Sequence, residues 1–237
     1  MTRTLLATTP PAAPRNHPNG TRRLLIAGAV AGPLFVATFL VAGAIRPHYD
    51  PLRHPVSSLA LGEHGWVQTA NFLVAGVLTL ALAIGLRRAL RTAPGPARGS
   101  VWGPLLIGIW AISLLGAGVF TTDPVSGYPP GTPGLLVHYS GVPAFLHDAF
   151  SVPGFAAIAA APVVLAVRFA AHRRPAWAVF SVLAAAAFVT TFVLSTMGFQ
   201  QHPDLVALGG LFQRTAVTIG WAWLTLLALD TSRGLKR

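Results

Sequence analysis

"PAWAVFSVLAAAAFVTTFVLSTMGF" (residues 175–199) runs for 25 residues without a Lys, Arg, Asp or Glu. A helix rising about 1.5 Å per residue needs about 20 apolar residues to cross a hydrocarbon core about 30 Å thick. The stretch is long enough to span a bilayer and carries no polar face to turn toward water. Runs of similar length recur at Leu24–Ile45, Val67–Leu86, Val101–Thr122, Ala149–Val167 and Leu205–Leu229. The last of these holds a formal charge, Arg214, and the others hold none. The pattern predicts an all-α integral membrane protein, a bundle of six transmembrane helices.

Composition agrees. Hydrophobic residues make up 53% of the chain and charged residues 10%, where a soluble domain carries about 25% charged. The chain has no cysteine, which removes disulfides, thiolate metal sites and a thiol nucleophile. Residues 1–20 are proline-rich and aperiodic and are expected to form a disordered cytoplasmic tail. Residues 21–232 would form the transmembrane domain, and 233–237 a basic cytoplasmic C-terminus.

The net charge of +11 would suggest nucleic acid if it were spread over a soluble surface. Its placement argues otherwise. Fourteen of the 17 basic residues fall before the first run, between the second and third, between the fourth and fifth, or after the last. Two, Arg46 and Arg53, fall on the other side. The positive-inside rule then puts both termini in the cytoplasm of a cell whose inner (plasma) membrane holds the chain. No nucleic-acid partner is needed, and membrane lipids are the expected surroundings.

The acids are distributed the other way. Asp50, Glu63, Asp123, Asp148 and Asp204 lie on or near the outer side, as do six of the eight histidines and all three tyrosines. A chemical site should therefore open there. Arg214 lies about nine residues into the last run, so about 13 Å deep. A guanidinium at that depth needs a partner, with Asp148 and Asp123 the nearest by depth; it serves either an ion pair or an anion site. His147 and Asp148 open the fourth run, where they suit proton transfer or, for Asp148, a helix N-terminus. Asp123 ends the third run, against the helix dipole, so a positive partner is expected. Turn chemistry in "DPVSG" competes with that reading. Arg53 with His54 suits a lipid headgroup, and Ser57 or Ser58 suits the cap of a short helix. Asp123, His138, His147 and His202 are scattered over three loops without a metal-binding spacing, so no metal is assigned. Neither a phosphate-binding glycine loop nor a GxSxG elbow occurs, and no cofactor is called for.

Four stretches carry a family likeness: "RPHYDPLRHPVSSLALGEHGW" (46–66), "GVFTTDPVSGYPPGTP" (118–133), "FLHDAFSVPGF" (145–155) and "GLFQRTAV" (210–217). With these the chain resembles the bacterial membrane proteins grouped as domain of unknown function 998, over about Leu24–Leu229. The resemblance implies about six helices and marks Asp50, Ser57, Ser58, Trp66, Asp123, Pro124, Gly127, Tyr128, His147, Gln213 and Arg214 as positions that matter. It implies no activity. The expected function is an intramembrane enzyme or lipid-binding protein acting on a lipidic or isoprenoid substrate. Asp123, His147 and Asp148 would do acid–base work, and Arg214, Arg53, Tyr128, Ser57 and Gln213 would bind substrate. The alternatives are a small transporter or channel gated by an Arg–Asp pair, and a non-catalytic sensor or assembly factor.

Overall fold

The computed structural model describes residues 18–92, 95 and 97–235. Six long helices carry the fold: α1 (Pro18–Ile45), α2 (Trp66–Thr92), α3 (Trp102–Val119), α4 (Val142–Ala171), α5 (Pro175–Phe199) and α6 (Gly209–Gly234). Among the described residues there is no strand, and a single 3-10 turn, Val56–Ala60, lies between α1 and α2. Each helix packs on its neighbours in sequence, and α6 returns to α1, so the order around the bundle is closed.

α1–α5 are long and apolar enough to cross a membrane. α6 falls short of the six expected spans, because Gln213, Arg214, Asp230 and Arg233 interrupt its apolar residues. It is instead deeply packed: Trp221, Trp223, Leu224, Leu227 and Ala228 are all buried. The outer surface of the bundle is apolar, with Leu40, Val41, Val77, Ile112, Val163, Val179 and Leu183 exposed on five helices. A continuous apolar exterior of this kind is solvated by lipid tails, not by water.

Helix limits differ from the apolar runs where backbone chemistry overrides hydropathy. The expected tail of residues 1–20 loses its last three to α1, since Pro18 suits a first helical position, where its missing N–H costs nothing; residues 1–17 lie outside the described ones. Lys236 and Arg237 of the basic C-terminus lie outside them too, while Arg233 and Gly234 continue α6. α4 begins at Val142, not Ala149, with Pro143 in its first turn and Pro153 and Pro162 inside it. Residues 134–141 are irregular. α3 ends at Val119 and α6 begins at Gly209, four residues later than the run that predicted it.

Small residues set the close approaches. A Cβ on Gly154 of α4 would stand 2.0 Å from the Ser113 hydroxyl of α3, and one on Gly116 would stand 2.2 Å from Phe150. Glycine at both positions lets the two backbones draw together. That contact fixes the start of α4, and with it His147 and Asp148, against the end of α3.

Candidate functional site

Two loops cover one end of the bundle. The first, between α1 and α2, is folded by its own polar groups. An Asp50 carboxylate oxygen accepts the Leu52 N–H at 2.9 Å, and the Asp50 N–H donates to His54 Nδ1 at 2.8 Å. Arg46 donates to the carbonyls of Leu59, Leu61 and His64 at 3.2, 2.9 and 2.9 Å. The second loop, residues 120–141, closes on itself through Ser126 N–H to Gly134 O at 2.8 Å and Gly127 N–H to Pro133 O at 3.1 Å. Ser126 and Gly127 both take positive φ, 61° and 80°; glycine adopts this conformation freely, whereas at Ser126 it is uncommon for a residue with a side chain.

The loops interlock over Arg214. Its Nη1 donates to the His54 carbonyl at 2.9 Å and to Gly210 O at 3.1 Å, and its Nη2 donates to the Tyr49 hydroxyl. Tyr49 in turn donates to Pro55 O at 2.8 Å. The Tyr49, His54 and Tyr128 rings pack against one another at 5.2–5.4 Å. Arg53 Nε donates across to Ser126 O at 3.1 Å. Burial pushes the Tyr49 phenol up to about 12 despite the opposing pull of Arg214. Burial also pulls His54 below its ordinary value.

This arrangement corrects the sequence reading of Arg214. α6 starts at Gly209, so the guanidinium sits about 8 Å along the helix, not 13 Å. Its donors meet one loop carbonyl, one carbonyl of its own helix and a phenol, and neither Asp123 nor Asp148 pairs with it. Carbonyl oxygens supply partial negative charge without the cost of burying a second ion.

Beneath the loops lies a cavity of about 240 Å³. Five of the eight expected site residues line it: Asp123, His147, Asp148, Ser57 and Gln213. Arg214, Arg53 and Tyr128 do not; they hold the lid above it. The deeper wall is apolar, with Phe35, Phe72, Trp110, Leu114 and Phe155. Trp221 packs against both Phe35 and Trp110, at 5.3 and 6.0 Å, and closes the bundle on the deep side.

Each acid–base candidate has a definite partner. The Asp123 carboxylate, 6% exposed, accepts the Ser140 N–H at 2.8 Å and the Ser140 hydroxyl. The expected cation is replaced by these two donors. α3 has ended four residues earlier, so Asp123 lies past the helix end whose field was expected to oppose it. Asp148 lies in the second turn of α4, beyond the reach of a first-turn dipole effect, and accepts from the Tyr139 hydroxyl at 3.1 Å. His147 Nδ1 lies 2.8 Å from the Phe120 carbonyl. A carbonyl only accepts, so Nδ1 donates to it, and the lone pair of an uncharged imidazole in this position is on Nε2. Gln213 Oε1 accepts the Val56 N–H at 2.7 Å and anchors the 3-10 turn that carries Ser57. That turn starts after Pro55 without a side-chain cap, so neither Ser57 nor Ser58 caps it.

Tyr49, Tyr139 and Ser140 hold the site together and were given no such role by the sequence. Tyr49 stood in a family-like stretch, "RPHYDP". Tyr139 and Ser140 gave no signal, because their contacts depend on how residues 134–141 fold back. No group of three or more His, Asp or Glu placed to hold a metal occurs among the described residues.

The sequence model of the family described as "protein of unknown function (DUF998)" matches residues 29–230, and the chain belongs to that family. Neither a curated protein nor a solved structure matches the chain.

Proposed function

We propose that this DUF998 protein is an intramembrane enzyme or lipid-binding protein whose cavity takes the reactive end of a lipidic or isoprenoid molecule. The observation that carries the reading is one small cavity that joins an apolar depth to Asp123, His147 and Asp148 at its mouth. An apolar chain would occupy the depth beside Phe72, Trp110 and Phe155, and a polar head would meet the acids and the imidazole. At about 240 Å³ the cavity is below the usual small-molecule range of about 300–1,000 Å³. It suits one end of a substrate whose remainder stays in the bilayer.

In that role His147 Nε2 is the base, since the Phe120 carbonyl holds the other nitrogen as a donor. Asp123, fixed by both donors of Ser140, presents a carboxyl group in one orientation. Asp148, adjacent on the helix and so about 100° around it, is the second carboxyl available for proton transfer. The charge distribution supports a plasma-membrane protein with cytoplasmic termini, so that this cavity faces away from the cytoplasm. A transport path is disfavoured by the Phe35, Trp110 and Trp221 packing that closes the deep side. The expected Arg–Asp gating pair is absent as well, with Arg214 committed to the lid.

Native mass spectrometry and lipid analysis of the purified full chain test the reading. A lipid should co-purify with the wild-type chain. It should be lost from Ala117→Trp, which fills the cavity, and be retained by a folded Asp123→Asn. A chain without bound lipid that moves solute across liposomes refutes it. So does an Asp123→Asn variant that no longer accumulates in the membrane, which would make Asp123 structural.

A further inference from the structure

The stretch "GLLVHYSGVPAFL" (residues 134–146) contains no Lys, Arg, Asp or Glu. It leads from the second loop into the first turns of α4. The loop between α1 and α2, at the same end of the bundle, carries Arg46, Asp50, Arg53 and Glu63. Leu135, Val137 and Tyr139 are exposed, Val137 to 71%, while Leu136 between them lines the cavity. The exposed apolar face continues on entering α4. Val142, Phe145, Val152, Val163 and Val167 are all exposed, and at about 100° per residue they fall within about 80° of arc. His147 and Gly154, both buried, lie on the opposite side of the helix. The lipid-facing stripe of α4 thus runs into its first turn, and the outward side chains of residues 134–141 extend it.

We propose that residues 134–145 form a strap seated on the membrane, its outward side chains among the headgroups and upper acyl carbons of the leaflet at this end of the bundle. A contiguous exposed apolar surface marks a contact with protein or with membrane. Continuity with the stripe of α4 selects lipid. The seat is shallow. Residues 134–141 are irregular, and irregular backbone facing lipid is not tolerated in the hydrocarbon core, where its N–H and C=O groups go unpaired. The interface supplies water and headgroups to that backbone and to the exposed His138, and apolar cover to leucine and valine. Tyr139, and Trp66 at the start of α2, are exposed aromatic rings of the kind that gather at this level. The strap also holds both carboxyl groups of the cavity, Asp123 through Ser140 and Asp148 through the Tyr139 hydroxyl at 3.1 Å. Its contact with lipid therefore bears on the position of both acids. The seat does not depend on what the cavity binds.

Because the chain has no cysteine, one fluorophore at a time can be attached to Val137→Cys, to Val142→Cys and, as a water-facing reference, to Glu63→Cys. All three positions are exposed, so the core is left intact. The full chain is reconstituted into phosphatidylcholine vesicles, some of whose lipids carry a nitroxide on the shallow acyl carbons. The nitroxide lipid should quench the labels at 137 and 142 at least twofold more than the label at 63. Aqueous iodide, present on both sides of the bilayer, should quench them at least twofold less. Labels at 137 and 142 that respond to both quenchers as the reference does overturn the proposal. So does protection from both quenchers, which would place protein, such as a second copy of the chain, on this face. If one of the two strap variants fails to accumulate, the other decides alone.

Discussion

Arg214→Met separates a structural arginine from a ligand-binding one. In the wild-type chain the guanidinium joins α6 to the first loop through the His54 carbonyl at 2.9 Å and through the Tyr49 hydroxyl. Its bond to Gly210 O stays within α6. Two loop-bridging bonds from a charged donor contribute about 1.5 kcal/mol each, or about 3 kcal/mol together. Methionine keeps much of the length and removes the burden of a buried charge, which offsets part of the loss. The Tyr49 hydroxyl, which donates to Pro55 O at 2.8 Å, also lies 3.3 Å from the His54 carbonyl and can turn its one proton to it. The net destabilisation should be about 2 kcal/mol, a fall of roughly 4–8 °C in thermal midpoint for a chain of this size. Arg214→Lys retains the charge but replaces the fork with a point donor, and should fall between the two. The assay is thermal unfolding in detergent followed by tryptophan fluorescence, with bound lipid measured in parallel. A methionine variant that unfolds within about 1 °C of wild type yet loses its lipid would refute the reasoning, because the arginine would then be holding ligand and not the lid.

Three further outcomes follow from the same geometry. Ser140→Ala removes the hydroxyl that binds Asp123 and leaves the N–H, so it should cost about 1 kcal/mol in thermal stability; no change would mean that the carboxylate is held elsewhere. His54 is held below its ordinary value by burial, and its Nδ1 must stay unprotonated to accept from Asp50. The unfolded chain therefore takes up the proton first, and stability should fall as the pH drops below about 6.5. His54→Asn should flatten that part of the pH–stability curve, and an equal slope in the variant would assign the effect to another group. Because the chain has no cysteine, single cysteines report orientation cleanly. Glu63→Cys should react with a membrane-impermeant maleimide in intact cells and Arg98→Cys only after permeabilisation, and the reverse pattern would invert the topology.

The helical core was legible because hydropathy is averaged over many residues. The five apolar helices and the buried α6 all lie on the runs that predicted them. The ends of those runs were not legible, since an end is set by a few backbone groups. Val142–Leu146 joins α4 ahead of the apolar run at Ala149–Val167, because Pro143 is harmless in a first helical turn. Pro153 and Pro162 then sit inside the same helix without ending it. At Gly209 the start of α6 is set by contact: a Cβ on the next residue, Gly210, would stand 2.5 Å from the His54 carbonyl and 2.8 Å from that of Pro51. That docking is a tertiary fact with no periodic trace in the sequence.

Five of the eight residues expected at the site line the cavity, Arg214, Arg53 and Tyr128 do not, and the expected pairing of Arg214 with an aspartate did not form. In a chain with six acids, electrostatic reasoning joins the deep arginine to the nearest carboxylate, and that logic linked Arg214 with Asp123. The folded chain satisfies each charge locally instead: the arginine with carbonyl oxygens and a phenol, the aspartate with an N–H and a hydroxyl. Both solutions draw on loop backbone, which a residue-by-residue inventory of charged side chains leaves out. The consequence is functional as well as structural. With Arg214 closing the lid and Asp123 fixed by Ser140, His147 is a member of the cavity whose Nε2 meets no hydrogen-bond partner among the described residues, since the Phe120 carbonyl engages only Nδ1. On the proposed reading, proton transfer in this cavity would centre on His147, with Asp123 and Asp148 as the carboxyl groups beside it.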